Sequence, residues 1–362
     1  MRIALVSTPF LAVPPRDYGG TELVVYELAE GLREHGHQVT LFATGDSRTS
    51  ATLESLYASP QWPPGVLADV NHVSWALARA GRGRFDVVHA HSAVALALTR
   101  LLPLPLVYTL HHERDEQLSA LYRYFPDVQY VAISADQKRR EIALPKVEVI
   151  HHGIDPAFFC VTERPREYVA FIGRFARVKG PHTAIDVAAH AGLPICMAGE
   201  VHEVDAEFGE REVLPRLQLP HVRYLGVIGM RTKVPLLRDA RALLAPIEWN
   251  EPFGLILIEA MLSGCPVVAY GRGSVPELIE PGGTGFIVRT LEEMVQVIRP
   301  GGVLDNFDRR ACRARAIERF SRERMVTDHE RLYARVAAQS AVAKPHAIPA
   351  HAAPPTEVPL CA

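Results

Sequence analysis

Two carboxylates eight positions apart, Glu251 and Glu259, flank and enter a stretch that is apolar almost throughout from Leu255 to Leu262, within EWNEPFGLILIEAMLSGCPVVAY. A helix over 255–262 is buried on most of its circumference, and a carboxylate on it is costly unless something pairs with it or binds it. Pro252, Phe253 and Gly254 make a turn into that helix. The first N–H groups of a helix have no partner within it, so such a start attracts phosphate or carboxylate. Two acids flanking an anion-binding helix start suit a ligand with hydroxyls on both sides of a phosphate group. A nucleotide sugar has that shape, one carboxylate accepting from the ribose diol and the other from the sugar through charge-assisted hydrogen bonds.

The leaving group from such a ligand is a nucleoside diphosphate, whose developing charge needs fixed cations or a metal. GRFARVKG, from Gly173 to Gly180, follows the strand-like YVAFI directly. Arg174 and Lys179 therefore emerge at a strand's carboxyl end, where open α/β sheets bind ligands, and Gly173 and Gly180 let the backbone come close. Either basic residue alone reads equally well as a solvated side chain. The histidines offer a rival chemistry: His89 and His91, His111 and His112 with Glu113 and Asp115, then His151 and His152. H-x-H at a strand end is a type of metal-site motif, so a metal-dependent hydrolase is the alternative. Adjacent histidines on an extended strand point to opposite faces, which argues against either HH pair giving two ligands to one ion. A second rival, glycoside hydrolysis by Glu251 and Glu259, needs carboxyls about 5–10 Å apart across a glycosidic bond and leaves Arg174 and Lys179 without a task. Trp62, Trp75 and Trp249 read as packing anchors, with Trp249 close to Glu251. Glu277 reads as a carboxylate stabilised by a helix dipole.

The elements that must position these residues alternate between short β-branched runs and helical patterns, the mark of parallel sheets flanked by helices. At 362 residues the chain exceeds the about 250–300 residues at which one core usually stops growing, so two domains are expected. Strands fall at Arg2 to Ser7, Gln38 to Ala43, Asp86 to Ala90, Pro105 to Leu110, Gln129 to Ile133 and, more weakly, Val147 to Ile150; a helix over Thr21 to His35 has Thr21 as its N-cap. These make a first domain over 1–154, and 155–167 is the linker. A second domain over 168–319 has strands at Tyr168 to Ile172, Pro194 to Ala198, Val222 to Leu225, Ala242 to Ala245 and Pro266 to Ala269. A last helix, roughly Arg309 to Ala338, is long enough for its end (320–338) to pack back on the first domain. The Ala/Pro-rich tail over 341–362 is expected to be disordered.

Composition excludes other classes. With 39 basic and 41 acidic residues, net −2, nothing marks a nucleic-acid binder. Five scattered cysteines without a C-x-x-C pair suit free thiols in a reducing, cytoplasmic compartment. No apolar run approaches the about 18 residues of a membrane span. Peripheral membrane contact stays open through Arg309 to Arg324, which reads first as a solvated helix face.

The motifs then meet a known pattern. EPFGLILIEA, preceded by GRFARVKG and by a YGGTE loop at Tyr18 to Glu22, with DVVHAH at Asp86, VYTLHHE at Val107, VAIS at Val131, HGID at His152, GSVPELI at Gly273 and GGTGFIV ending at Val288, resembles a retaining glycosyltransferase of family 4 over nearly the whole chain apart from the tail. The resemblance implies an α/β GT-B fold: two Rossmann-like domains facing across a cleft, the acceptor mostly on the first and the nucleotide-diphosphate sugar, with uridine as the expected base, mostly on the second. It implies metal-independent transfer with retention, no cofactor, and a hydroxyl acceptor that is a small metabolite, lipid or saccharide. Residue by residue it assigns Glu251 to the sugar hydroxyls, Glu259 to the ribose, and Arg174 and Lys179 to the diphosphate. The amides near Phe253, Gly254 and Leu255 go to the sugar or phosphate, Gly19 and Gly20 close over the phosphates, and His111, through T-x-H, sits at the sugar's reacting face. The fold also hosts sugar-nucleotide epimerases. Where the family commonly has Asn before Gly-Val-Asp, this chain has His152 before Gly153-Ile154-Asp155, a departure at that contact.

Overall fold

The computed structural model describes residues 1–17, 19–101 and 105–342. Tyr18 of the YGGTE loop and nearly all of the 341–362 tail lie outside the described residues.

Strands β1 (Arg2–Val6), β2 (Gln38–Phe42), β3 (Thr52–Glu54), β4 (Val87–Ala90), β5 (Leu106–Leu110), β6 (Gln129–Ala132) and β7 (Val147–Val149) form one sheet in the order β3-β2-β1-β4-β5-β6-β7. Strands β8 (Val169–Ile172), β9 (Ile195–Ala198), β10 (Val222–Tyr224), β11 (Ala242–Ala245), β12 (Val267–Tyr270) and β13 (Gly285–Val288) form the second, in the order β10-β9-β8-β11-β12-β13. All pairings are parallel. Helices cover both faces of such sheets, so central strands such as β4 and β11 are buried at every position and read as unbroken apolar runs. Strand order reverses between β1 and β4 and again between β8 and β11. Crevices at those switch points, outside the strands' carboxyl ends, are where doubly wound sheets hold ligands.

The last helix departs from the single span read in the sequence. It breaks at Ser321 into Arg309–Phe320 and Arg322–Val342. The chain between the two halves crosses it there: Ile154 N–H donates to the Phe320 carbonyl at 3.0 Å, and Arg322 N–H donates to the Ile154 carbonyl at 3.0 Å. These bonds replace the helix's own ladder. Gly153 makes the crossing possible, since a Cβ there would lie 2.2 Å from the Ser321 carbonyl oxygen. Beyond the break, Met325, Val326, Leu332, Tyr333 and Val336 join the core around Ile3, Leu5, Val24 and Leu28, so the final helix belongs to the first half.

The arginines of Arg309 to Arg324, read as a solvated face, are largely turned inward. Arg309 donates to the carbonyls of Ala240 and Arg238, Arg324 to those of His151 and His152, and Arg319 to those of Leu278 and Glu277. Arg322 is buried against Glu27 at 2.6 Å and reaches Glu34 at 3.0 Å and Asp155 at 3.4 Å. This segment clasps the two halves and the chain between them. No described helix is long and apolar enough to cross a membrane.

Candidate active site

The cleft between the sheets encloses about 490 Å³, and its wall includes every residue singled out for ligand contact: Gly19, Gly20 and His111 from the first half, and Gly173, Arg174, Lys179, Glu251, Phe253, Gly254, Leu255 and Glu259 from the second. Gly254 is the hinge of the arrangement. It sits at φ 90°, ψ 71° immediately before the Leu255–Leu262 helix, and no side chain caps that helix. A non-glycine residue is strained at this left-handed angle, and its Cβ would press on Leu257 Cδ1 at 3.0 Å. The result is a helix start whose first N–H groups are left for a ligand. The GSVPELI motif fixes this turn from behind, Ser274 N–H donating to the Glu251 carbonyl at 2.9 Å and Ser274 Oγ to the Phe253 carbonyl at 2.7 Å.

The two acids each hold a lysine. Glu251 Oε2 accepts from Lys179 Nζ and, at 2.9 Å, from Trp249 Nε1, while the Lys179 ammonium lies 4.8 Å from the centre of the Trp249 ring. Glu259 Oε1 accepts from Lys233 Nζ at 2.5 Å. Both carboxylates are buried, 6% and 2% exposed, so the pairing removes the desolvation penalty that the sequence left unexplained. Each commits one oxygen to its lysine. Arg174, the other cation assigned to the diphosphate, approaches Asp205 at 3.4 Å.

Lys233 was not legible as a site residue. It lies on the Met230–Asp239 helix, where a lysine in MRTKVPLLRD reads as solvated. The signal that could have found it is the buried Glu259, which demands a cation. Trp249, read as a packing anchor, also lines the cleft and orients Glu251. Thr21 is not the N-cap of its helix: that helix runs Gly20–Glu34 from Gly19, uncapped, and a Cβ on Gly20 would meet Leu255 Cδ1 of the opposite half at 3.5 Å. Glu277 does sit in the first turn of its own short helix, Val275–Leu278, and its carboxylate also meets the start of one in the other half, Ala135–Arg140. Its carboxylate accepts from the Ala135 and Asp136 amides at 2.8 and 3.0 Å and from His151 Nε2 at 3.2 Å. Burial works against its charge, and these bonds outweigh burial to hold its pKa below the ordinary value.

The histidines form a stack rather than a metal site. His329, His89, His91, His111 and His152 follow one another with ring centres 5.4, 4.4, 5.1 and 5.7 Å apart. Among the described residues no group of three or more His, Cys, Asp or Glu side chains is placed to hold a metal ion. His89 bonds Tyr333 Oη at 2.6 Å and Thr109 Oγ1 at 2.7 Å, and His91 Nδ1 lies 2.8 Å from His111 Nε2. Burial pushes the pKa of His91 down to about 3 and that of His329 to about 4, and those of His89, His111 and His152 well below the ordinary value. The stack is therefore neutral at pH 7. His152, the departure from Asn, closes it with its ring 5.7 Å from His111 and against Phe253. His112 stands apart, beside Glu113 and Trp249 at the cleft mouth.

Known structures share this architecture. Sucrose-phosphate synthase from Thermosynechococcus elongatus superposes with a TM-score of 0.78 at 18% identity, covering 93% of this chain and 99% of that one. The Anabaena protein HepE, solved with UDP and glucose, does so with a TM-score of 0.72 at 19% identity, covering 92% and 99%. Two Rossmann-like halves facing across this cleft make the chain a GT-B protein. The profile described as Glycosyltransferase Family 4 matches residues 18–158, and that described as Glycosyl transferases group 1 matches 161–299. The chain belongs to the family 4 glycosyltransferases and is a transferase of the group that uses nucleotide-sugar donors. It is 26% identical to the D-inositol 3-phosphate glycosyltransferase of Pseudarthrobacter chlorophenolicus over 358 aligned positions, 79% of this chain and 83% of that protein.

Proposed function

We propose that the enzyme transfers a sugar from a UDP-sugar to an acceptor hydroxyl, with retention at the anomeric carbon and without a metal. The observation that carries the reading is the pair of lysine–carboxylate contacts, Lys179–Glu251 and Lys233–Glu259, on either side of an uncapped helix start in the cleft. Glu259 takes the ribose hydroxyls and Glu251 those of the sugar. Between them the diphosphate meets the amides at the Leu255 helix start, Arg174 and Lys179, which stabilise the charge that grows as the glycosidic bond breaks. Gly19 and Gly20 close over the phosphates, and His111 faces the reacting end of the sugar. The acceptor oxygen attacks from the face the diphosphate leaves, and a diphosphate oxygen takes the acceptor's proton, so bond and proton balance without a protein nucleophile. Uridine as the base is supported by the related fold of HepE, solved with UDP.

Four unpaired cysteines among the described residues, Cys160, Cys196, Cys265 and Cys312, suit work in the cytoplasm. The test is the anomeric proton of the product formed from UDP-glucose and a panel of sugar, polyol and lipid alcohols, read by NMR with EDTA present. An α-linked product supports the reading. A β-linked product, or activity abolished by EDTA and restored by a divalent ion, overturns it.

A further inference from the structure

The transfer just described uses one histidine of the buried stack and leaves the others without a task. His91 is the one within hydrogen-bonding distance of it. It follows β4, is 4% exposed, and its Nδ1 lies 2.8 Å from His111 Nε2. Its own Nε2 is buried without a hydrogen-bond partner among the described residues. His111 lines the cleft.

A single proton lies between Nδ1 of His91 and Nε2 of His111, and it can belong to either ring. If His111 donates it, neutral His91 must carry its proton on Nε2, a buried N–H with no acceptor. If His91 donates it, the unpartnered Nε2 is a bare lone pair, and the proton of neutral His111 is left on Nδ1. A buried donor without an acceptor is the rarer and costlier defect, so the second arrangement wins. A cationic ring would escape this choice, but the titratable groups facing the pair are His89 from β4, His329 from the final helix, His112 from the loop after β5 and His152 from the loop after β7, none of them an anion.

We infer that His91 is a positioning residue that locks His111 in its Nδ1–H tautomer, so that His111 presents a hydrogen-bond donor rather than a base to the substrate. The group it suits is an oxygen of the transferred sugar, a hydroxyl or the acetal oxygen. It offers no lone pair to an acceptor hydroxyl, which leaves the acceptor's proton to the departing diphosphate. The tautomer stands independently of the transferase reading, and its use in the cleft rests on that reading.

The test is nitrogen-15 NMR of the histidine side chains in the full chain, with the His111 signals assigned by their loss in His111→Ala. In the unmodified protein and in His91→Asn, whose side-chain amide can stand where Nδ1–H stood, His111 carries its proton on Nδ1. In His91→Leu it shifts to Nε2 or to a mixture. UDP release from UDP-glucose should fall about tenfold in His91→Leu, the loss of one hydrogen bond, and recover to within about threefold in His91→Asn. In a His111→Ala background His91→Leu should cost nothing further. An Nε2–H His111 in the unmodified protein overturns the proposal, as does an equal loss from His91→Leu with and without His111. The NMR arm needs no nucleotide, so a wrong donor assignment shows separately, as UDP-glucose left untouched by a protein with the expected tautomer.

Discussion

Replacing Lys233 with Met removes the cation beside Glu259 and leaves an unpaired acid, 2% exposed, on an otherwise apolar helix. Deleting one partner of a buried ion pair costs about 3–5 kcal/mol. The Lys233 side chain is 14% exposed and the pair opens onto the cleft, so water can reach part of the uncovered charge and the lower end, about 3 kcal/mol, applies. At about 2–4 °C per kcal/mol for a domain of this size, the melting temperature should drop by roughly 6–12 °C. Thermal unfolding followed by circular dichroism measures it. The companion Lys233→Met/Glu259→Gln removes both charges and should recover most of the loss, because the penalty is an unpaired charge rather than missing packing. A single variant that melts within about 1 °C of the parent, or a double variant as unstable as the single one, would show that the carboxylate does not depend on this lysine.

Two further outcomes follow from the same geometry. Lys179→Ala should lower turnover of the sugar nucleotide by about 10²–10³, as loss of one preorganised charge at a leaving group does, with an unchanged far-UV spectrum; near-normal turnover would remove Lys179 from the diphosphate. Acid should destabilise the protein through the histidine stack. The folded-state pKa values of His91 and His329, about 3 and about 4, lie below the ordinary 6.5, so the unfolded chain takes up protons that the folded one refuses. Their stabilisation is present in full above pH 6.5 and is lost progressively as pH falls from there to 3–4, the loss by pH 5 being about 2 kcal/mol for each. Urea unfolding at pH 7 and pH 5 should show that loss, with His329→Gln showing about 2 kcal/mol less of it; equal sensitivity would put the effect elsewhere.

How much of this could be read from the sequence depended on range. Strands buried on both faces, such as β4 and β11, announce themselves as apolar runs. β3, Thr52–Glu54, is a three-residue edge strand with one apolar side chain and carries no such signal. The EPFGLILIEA stretch was legible because a turn, a helix and a misplaced acid lie within a dozen residues. The partner of that acid was not, since Lys233 stands 26 positions away on another helix. The break at Ser321 was invisible for the same reason: its cause is the chain at Gly153 and Ile154. The histidines mislead when taken as neighbours in sequence. H-x-H at the end of β4 and HH after β5 look like separate metal motifs, but the fold threads both rings of the first and one of the second, with His152 and His329, into a single neutral stack.

The central claim, that two lysine–carboxylate pairs flank a nucleotide-diphosphate site at the Leu255 helix start, is tested most directly by calorimetric titration of UDP, GDP and ADP into the protein in EDTA, with Glu259→Ala alongside. UDP should bind without a metal, more tightly than GDP or ADP, and Glu259→Ala should lose about 1.5–3 kcal/mol of that affinity, the worth of hydrogen bonds to a charged group. UDP binding that needs a divalent ion, or that is indifferent to Glu259, would contradict it.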